Sequence, residues 1–226
     1  MSKITKVLSY LLCFTLIIAT LLSIVDFCCF DRKFYASQQN KLNIAQTIGV
    51  DDEDLDKMTS VLLGYLKHEN DDLFVEAKVN GINREIFNQK EKDHMIDVLN
   101  LYDGAILVRN ICLLVMVGCL LILLSKHKVA NLGFYYNKTL IFFAMVFAFI
   151  GMFCLIDFNT FWMSFHELFF PMNDLWLLDP RTDILIMMVP EEFFFNLVTR
   201  IIIFTVISLF VYFVIFKYLR SKMKNA

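Results

Sequence analysis

Four stretches of this chain, residues 7–30, 105–124, 140–156 and 193–216, are apolar for about the ~20 residues that an α-helix needs to cross a hydrocarbon core. Nothing else in the sequence narrows the fold as much. A segment inside a bilayer has no water to satisfy its backbone, and a single segment can satisfy it internally only as a helix. The first and last runs are long enough to span with tilt, whereas the third sits at the short end. With 58% hydrophobic residues, 24 Phe and only 7 Gly, the composition is too apolar for a water-soluble core and shell. The expectation is a single all-α integral membrane domain over 1–226 with four transmembrane helices. A small α/β insertion, 31–104, separates the first two spans, and an aromatic-rich loop, 157–192, separates the last two.

Lysine and arginine near the helix ends set the orientation. Lys3 and Lys6 precede the first span, Lys126, Lys128 and Lys138 lie between the second and third, and Lys217, Arg220, Lys222 and Lys224 follow the fourth. All fall on one side, so both termini are expected in the cytoplasm and both long loops outside, in a multi-pass plasma-membrane protein. The first outer loop carries 9 Lys or Arg against 15 Asp or Glu, a balance of −6 that suits the translocated side. The first span is read as retained, not as a cleaved signal. It is too long for a signal core, and Asp26-Phe27 stands before Cys28-Cys29 where small residues would mark a cleavage site. All six cysteines lie within the expected spans, so the loops have no disulfide framework and the cysteines read as small buried apolar residues.

The first outer loop has folding signals. In DDEDLDKMTSVLLGYLKHEN, Leu55, Met58, Leu62, Tyr65 and Leu66 recur at helical spacing behind acidic residues suited to a helix amino terminus. Phe74, Glu76 and Lys78 then alternate with Val75, Ala77 and Val79 ahead of Asn80-Gly81, a strong hairpin signal. A lone hairpin is marginal and must lean on something. NQKEKDHMIDVLNLYDG reads as a helix with His94, Asp97 and Leu101 on one face, leading through Asp103-Gly104 into the second span. The second outer loop is instead aromatic: Phe158, Phe161, Trp162, Phe165, Phe169, Phe170 and Trp176 form a belt of the kind that sits at headgroup level. Asp179-Pro180-Arg181-Thr182 is a turn signal, and Pro190 with Glu191 and Glu192 suits the first turn of the last helix.

Charge is costly within a span, so Asp26, Arg109, Asp157 and Arg200, all in the outer half, are either functional or structural pairs holding the bundle together. Of the four histidines, His127 reads as solvated among lysines and His68 as exposed. His94 and His166 lie one in each outer loop, each close to a span, and suggest an acid–base pair at the membrane surface. With Asp97 or Glu167 they could instead bind a metal, although no strong ligand spacing such as HExxH is present. GxSxG, a P-loop and any nucleotide site are absent, so neither a cofactor nor a nucleic acid partner is expected.

The block FHELFFPMNDLWLLDPRTDILIMMVPEEFF, with HMIDV upstream and four spans in this arrangement, resembles the lipoprotein intramolecular transacylase family of low-GC Gram-positive bacteria. The resemblance covers the whole chain in topology and roughly residues 93–195 in motif. It implies an acyltransferase acting on diacylglyceryl-modified bacterial lipoproteins after signal-peptide removal. The sn-2 acyl chain moves to the α-amino group of the same cysteine, giving the lyso form, at the outer leaflet and in contact with membrane lipid. The same resemblance makes His94 and His166 the catalytic pair, without cofactor or metal.

Chemistry adds Arg109, Arg200, Asn173 and Trp176 as candidates for oxyanion stabilisation or substrate positioning, and Asp97, Asp157 and Glu167 as supporting carboxylates. Nucleophile and ester belong to one molecule, so no acyl-enzyme nucleophile is required. Two other readings are a non-catalytic membrane protein binding envelope components and a membrane metalloenzyme acting on lipid or peptide.

Overall fold

Apolar composition and helix signals together produce a chain that is almost entirely helical. The computed structural model describes residues 2–225; the side chains of Ala130 and 223–225 lie outside the description, so Lys224 of the basic tail is not placed. In chain order the elements are α1 (Lys3–Cys29), α2 (Arg32–Lys41), α3 (Ile44–Ile48), α4 (Asp52–Leu66), β1 (Glu76–Val79), β2 (Ile82–Glu85) and α5 (Gln89–Ser125). A 3₁₀ turn (Val129–Asn131) leads into α6 (Leu132–Ile156), α7 (Phe158–Phe169), α8 (Ile184–Met188) and α9 (Glu191–Asn225). Four helices, α1, α5, α6 and α9, are long and apolar enough to cross a membrane.

The chain divides into two compact units. The spanning unit comprises Met1–Phe27, Ala105–Ile156 and Thr199–Ala226. Its core collects Leu12, Cys13 and Ile17 of α1, Leu123 of α5, Tyr136 and Phe143 of α6 and Leu209 of α9. Polar contacts fix the register of these apolar helices: Tyr136 donates its hydroxyl proton to the Leu209 carbonyl at 2.7 Å, and Thr20 meets the Tyr212 hydroxyl at 3.2 Å. In hydrocarbon such contacts stand in for the hydrophobic driving force that lipid tails remove. At Gly133 an added Cβ would lie 3.1 Å from the backbone oxygen of Phe216, so the missing side chain is what lets α6 approach α9.

The second unit, Cys28–Gly104 and Asp157–Val198, holds both expected outer loops. Asp51 caps α4 by accepting from the Asp54 amide at 2.7 Å, and Leu55, Met58, Leu62 and Leu63 of that helix are buried. Asn80 (φ 50°) and Gly81 (φ 82°) make the two-residue turn joining β1 and β2, with Val79 opposite Ile82. The hairpin leans on the α3–α4 region. The Asn80 amide donates to the Gly49 carbonyl at 2.7 Å, and Asp54 accepts from the Lys78 amide at 2.9 Å.

Three features go beyond the sequence reading. The helix expected to lead through Asp103-Gly104 into the second span is continuous with it: α5 runs unbroken for 37 residues, about 55 Å and longer than a bilayer core, so its amino-terminal part lies outside the apolar run. The aromatic segment, read as a loop, forms the helix α7, because Phe158, Trp162, Phe165 and Phe169 recur at helical spacing behind the Asp157 cap. The polar segment after α1 forms α2 and α3, with Asp31 capping α2 through the Lys33 and Phe34 amides.

Candidate active site

The second unit brings together His94 and His166, one from each expected outer loop. His94 lies on the second turn of α5 and His166 near the end of α7; their ring centroids are 6.1 Å apart at an interplanar angle of 37°. Both are buried, at 6% and 8% exposure. The remaining histidines lie elsewhere: His68 is exposed against Asp103 at 2.9 Å, and His127 is exposed after α5.

Each ring has a defined setting. His166 Nδ1 lies 2.8 Å from the carbonyl oxygen of Trp162, one turn back in α7. A carbonyl can only accept, so Nδ1 carries the proton and Nε2 of the neutral ring presents its lone pair. Trp176 stacks on the same ring at 5.0 Å and 25°, while Trp162 meets it edge-on at 4.8 Å. Phe170 lies against both imidazoles, 5.5 Å from His94 and 5.7 Å from His166. His94 Nδ1 is buried with no hydrogen-bond partner among the described residues.

This apolar enclosure sets the charge state. Burial, reinforced by the neighbouring His166, pulls His94 down to about 4, against a smaller opposing pull from Asp97. Burial also lowers His166, partly offset by its bond to the Trp162 carbonyl. His94 is therefore neutral across the ordinary histidine range, and the neutral form of His166 is favoured in the same direction.

The other candidates separate into three groups. Asp97, Asn173 and Trp176 join the histidines: Asn173 Nδ2 donates to Asp97 Oδ2 at 3.0 Å, and the Trp176 indole N–H donates to the Asn173 carbonyl at 3.1 Å. A continuous chain thus runs from the His94 helix to the ring stacked on His166. Asp157 and Glu167 do not join them. Asp157 is exposed and caps α7 by accepting from the Thr160 amide and hydroxyl at 3.0 and 2.6 Å, and Glu167 is exposed on the helix surface. Arg109 and Arg200 belong to the spanning unit. Arg109 pairs with Asp26 at 2.9 Å, as the similar depth of acids and bases suggested, whereas Asp157 is taken up by its cap. The Arg200 guanidinium faces the rings of Phe204 and Phe27 at 5.3 and 5.9 Å. Among the described residues no three His, Cys, Asp or Glu side chains converge as a metal site would require.

Sequence reading missed the brace beneath the pair. Glu91, 1% exposed and one turn before His94, accepts from the Asn88 amide at 2.7 Å while Asn88 Oδ1 accepts from the Glu91 amide at 3.1 Å. Its other oxygen accepts from the Leu185 amide of α8 at 2.6 Å. Asp183 accepts from Asn88 Nδ2 at 2.9 Å, closing a link between α5 and the segment before α9. Burial raises the Glu91 carboxyl, opposed by the two amides that it accepts from. Asn88-x-x-Glu91 follows the capping-box spacing and was visible in the sequence; the bond to Leu185 was not.

The family profile described as lipoprotein intramolecular transacylase Lit matches residues 10–194. Among solved structures, the membrane-integral lipoprotein intramolecular transacylase Lit from Bacillus cereus aligns with a TM-score of 0.83 at 20% identity, covering 100% of both chains. Two variants of that B. cereus protein, with one histidine replaced by arginine or by alanine, align at TM-scores of 0.77 and 0.78 and 19% identity. They cover 98% and 99% of this chain and 94% and 96% of their own. No curated protein sequence matches the chain. Since the profile spans most of the sequence and the fold agrees from end to end, this chain belongs to the lipoprotein intramolecular transacylase family and is a membrane-integral acyltransferase of lipoproteins.

Proposed function

We propose that His94 and His166 catalyse transfer of the sn-2 acyl chain of a diacylglyceryl-cysteine to that cysteine's own α-amino group, leaving a lyso-form lipoprotein. The site faces the outer leaflet, and both termini are cytoplasmic. The observation that carries this reading is a buried pair of neighbouring imidazoles from separate helices, one of which has its tautomer fixed. An α-amine of pKa roughly 7.7–8.0 is mostly protonated near neutrality and needs a base beside it. His166 Nε2 takes the amine proton as nitrogen attacks the ester carbonyl. When the tetrahedral intermediate collapses, the carbon–oxygen bond to glycerol breaks, and the glyceryl oxygen recovers one proton. The step is balanced: an amide and a hydroxyl replace an amine and an ester.

His94, whose buried Nδ1 has no partner among the described residues, is the group that hydrogen-bonds the reacting atoms from the other side. Trp176 and Trp162 hold the His166 ring, and the apolar surround keeps out the water that would hydrolyse the ester. Intramolecularity supplies much of the remaining rate, because the enzyme needs only to fold the substrate into an attack geometry.

The test is mass spectrometry of one lipoprotein's amino-terminal peptide from a host that otherwise makes the diacyl form. Expression of this protein should leave total acyl mass unchanged and move one chain from glycerol to nitrogen. His94→Ala and His166→Ala should each abolish the shift while the protein still inserts. Full activity in both would overturn the assignment.

A further inference from the structure

The spanning unit contains a groove of about 390 Å³ whose lining residues are all apolar, a size within the roughly 300–1,000 Å³ of small-molecule sites. On α5 it runs from Met116 through Leu120 to Leu124, about 12 Å along the axis. Gly133 of α6 lines it without a side chain, and Phe216 and Leu219 of α9 complete one wall. Such a lining offers a polar solute nothing to bond and suits a hydrocarbon chain.

Basic residues adjoin part of this lining along the chain. Leu124 and Val129 of the lining bracket Lys126 and Lys128, both exposed, while Phe216 and Leu219 border Lys217 and Arg220. Residues 1–25, 111–156 and 201–226 together carry nine Lys or Arg and no Asp or Glu. These segments therefore hold no carboxylate to balance their own cations, and an anion at the bilayer surface gains from each cation it approaches. We infer that the groove seats one acyl chain of an anionic phospholipid from the leaflet at this basic end, with Lys126 and Lys128 holding its phosphate.

Native mass spectrometry of the full chain in detergent, with equal amounts of phosphatidylglycerol and phosphatidylcholine added, tests this directly. Phosphatidylglycerol should be retained at least about tenfold better. Lys126→Gln with Lys128→Gln should bring the two lipids close to parity, and Leu120→Trp, which fills the groove, should reduce retention of both. Soluble glycerol phosphate and inorganic phosphate should compete with neither. The inference is overturned if the wild type retains the two lipids equally, or if the double lysine variant keeps its preference. Retention unchanged in Leu120→Trp would remove the acyl chain from the groove, and displacement by inorganic phosphate would reduce the site to one for a simple anion.

Discussion

For a histidine in an apolar enclosure, the energetic question is which protonation state the surroundings favour. At His94 burial and the adjacent imidazole act together, and both favour the neutral ring. Its pKa is lower in the folded chain than in the unfolded one, so between pH 6.5 and about 4 the unfolded chain binds a proton that the folded chain does not. Stability therefore falls as pH drops through that window, by roughly 3 kcal/mol from this residue, and levels off below it. Thermal unfolding in detergent at pH 7, 5.5 and 4 should show the decline, and His94→Gln should flatten it. In kinetics, any histidine break in log kcat/KM should fall below pH 6.5, because both rings are shifted downward, with the substrate amine's pKa near 8 as the upper break. A histidine break at or above pH 6.5 would show that the proposed pair is not shielded in this way.

Elements do the positioning. The histidines sit on two helices that the sequence separates by a whole span and a turn, and two links tie α5 to the chain that follows α7. One is the Asp97–Asn173–Trp176 chain, which ends on the ring stacked against His166; the other is the Glu91–Leu185 bond to α8. Between α6 and α9 a missing side chain does the comparable work. Gly133→Leu should cost roughly 1–3 kcal/mol through overpacking against the Phe216 backbone, seen as a lower unfolding temperature. Gly133→Ala, which needs a shift of only tenths of an ångström, should cost much less. Equal unfolding temperatures for the leucine variant and wild type would mean that the helices separate there freely.

For the molecule as a whole, the proposed chemistry needs only paired imidazoles and a substrate that carries its own nucleophile. Turnover of a diacyl lipopeptide in detergent should therefore be unchanged by a strong Zn²⁺ chelator; loss of activity restored by Zn²⁺ would instead favour a metal mechanism. The four spans, the α4 helix and the Asn80-Gly81 hairpin were legible because each rests on local pattern: length of apolar run, helical spacing or turn chemistry. His94 and His166 were also legible as candidates, being the histidines that flank spans in the two long loops. The tilt of the reading towards loops in 157–169 was wrong because the Asp157 cap and the aromatic spacing were outweighed by the expectation of an interfacial belt.

Sequence alone determined that this chain enters a membrane, which four stretches are apolar and long enough to cross it and which two imidazoles are available, since those follow from hydrocarbon thickness and residue type. Only the tertiary structure decided that the imidazoles meet at 6.1 Å, that His166 presents Nε2, that Asn173 serves Asp97, and that Asp157 and Glu167 stand apart. The physical reason is that ring orientation, burial and hydrogen-bond partners depend on residues tens of positions away. No local pattern encodes which carbonyl or ring will stand opposite a side chain once the helices have packed.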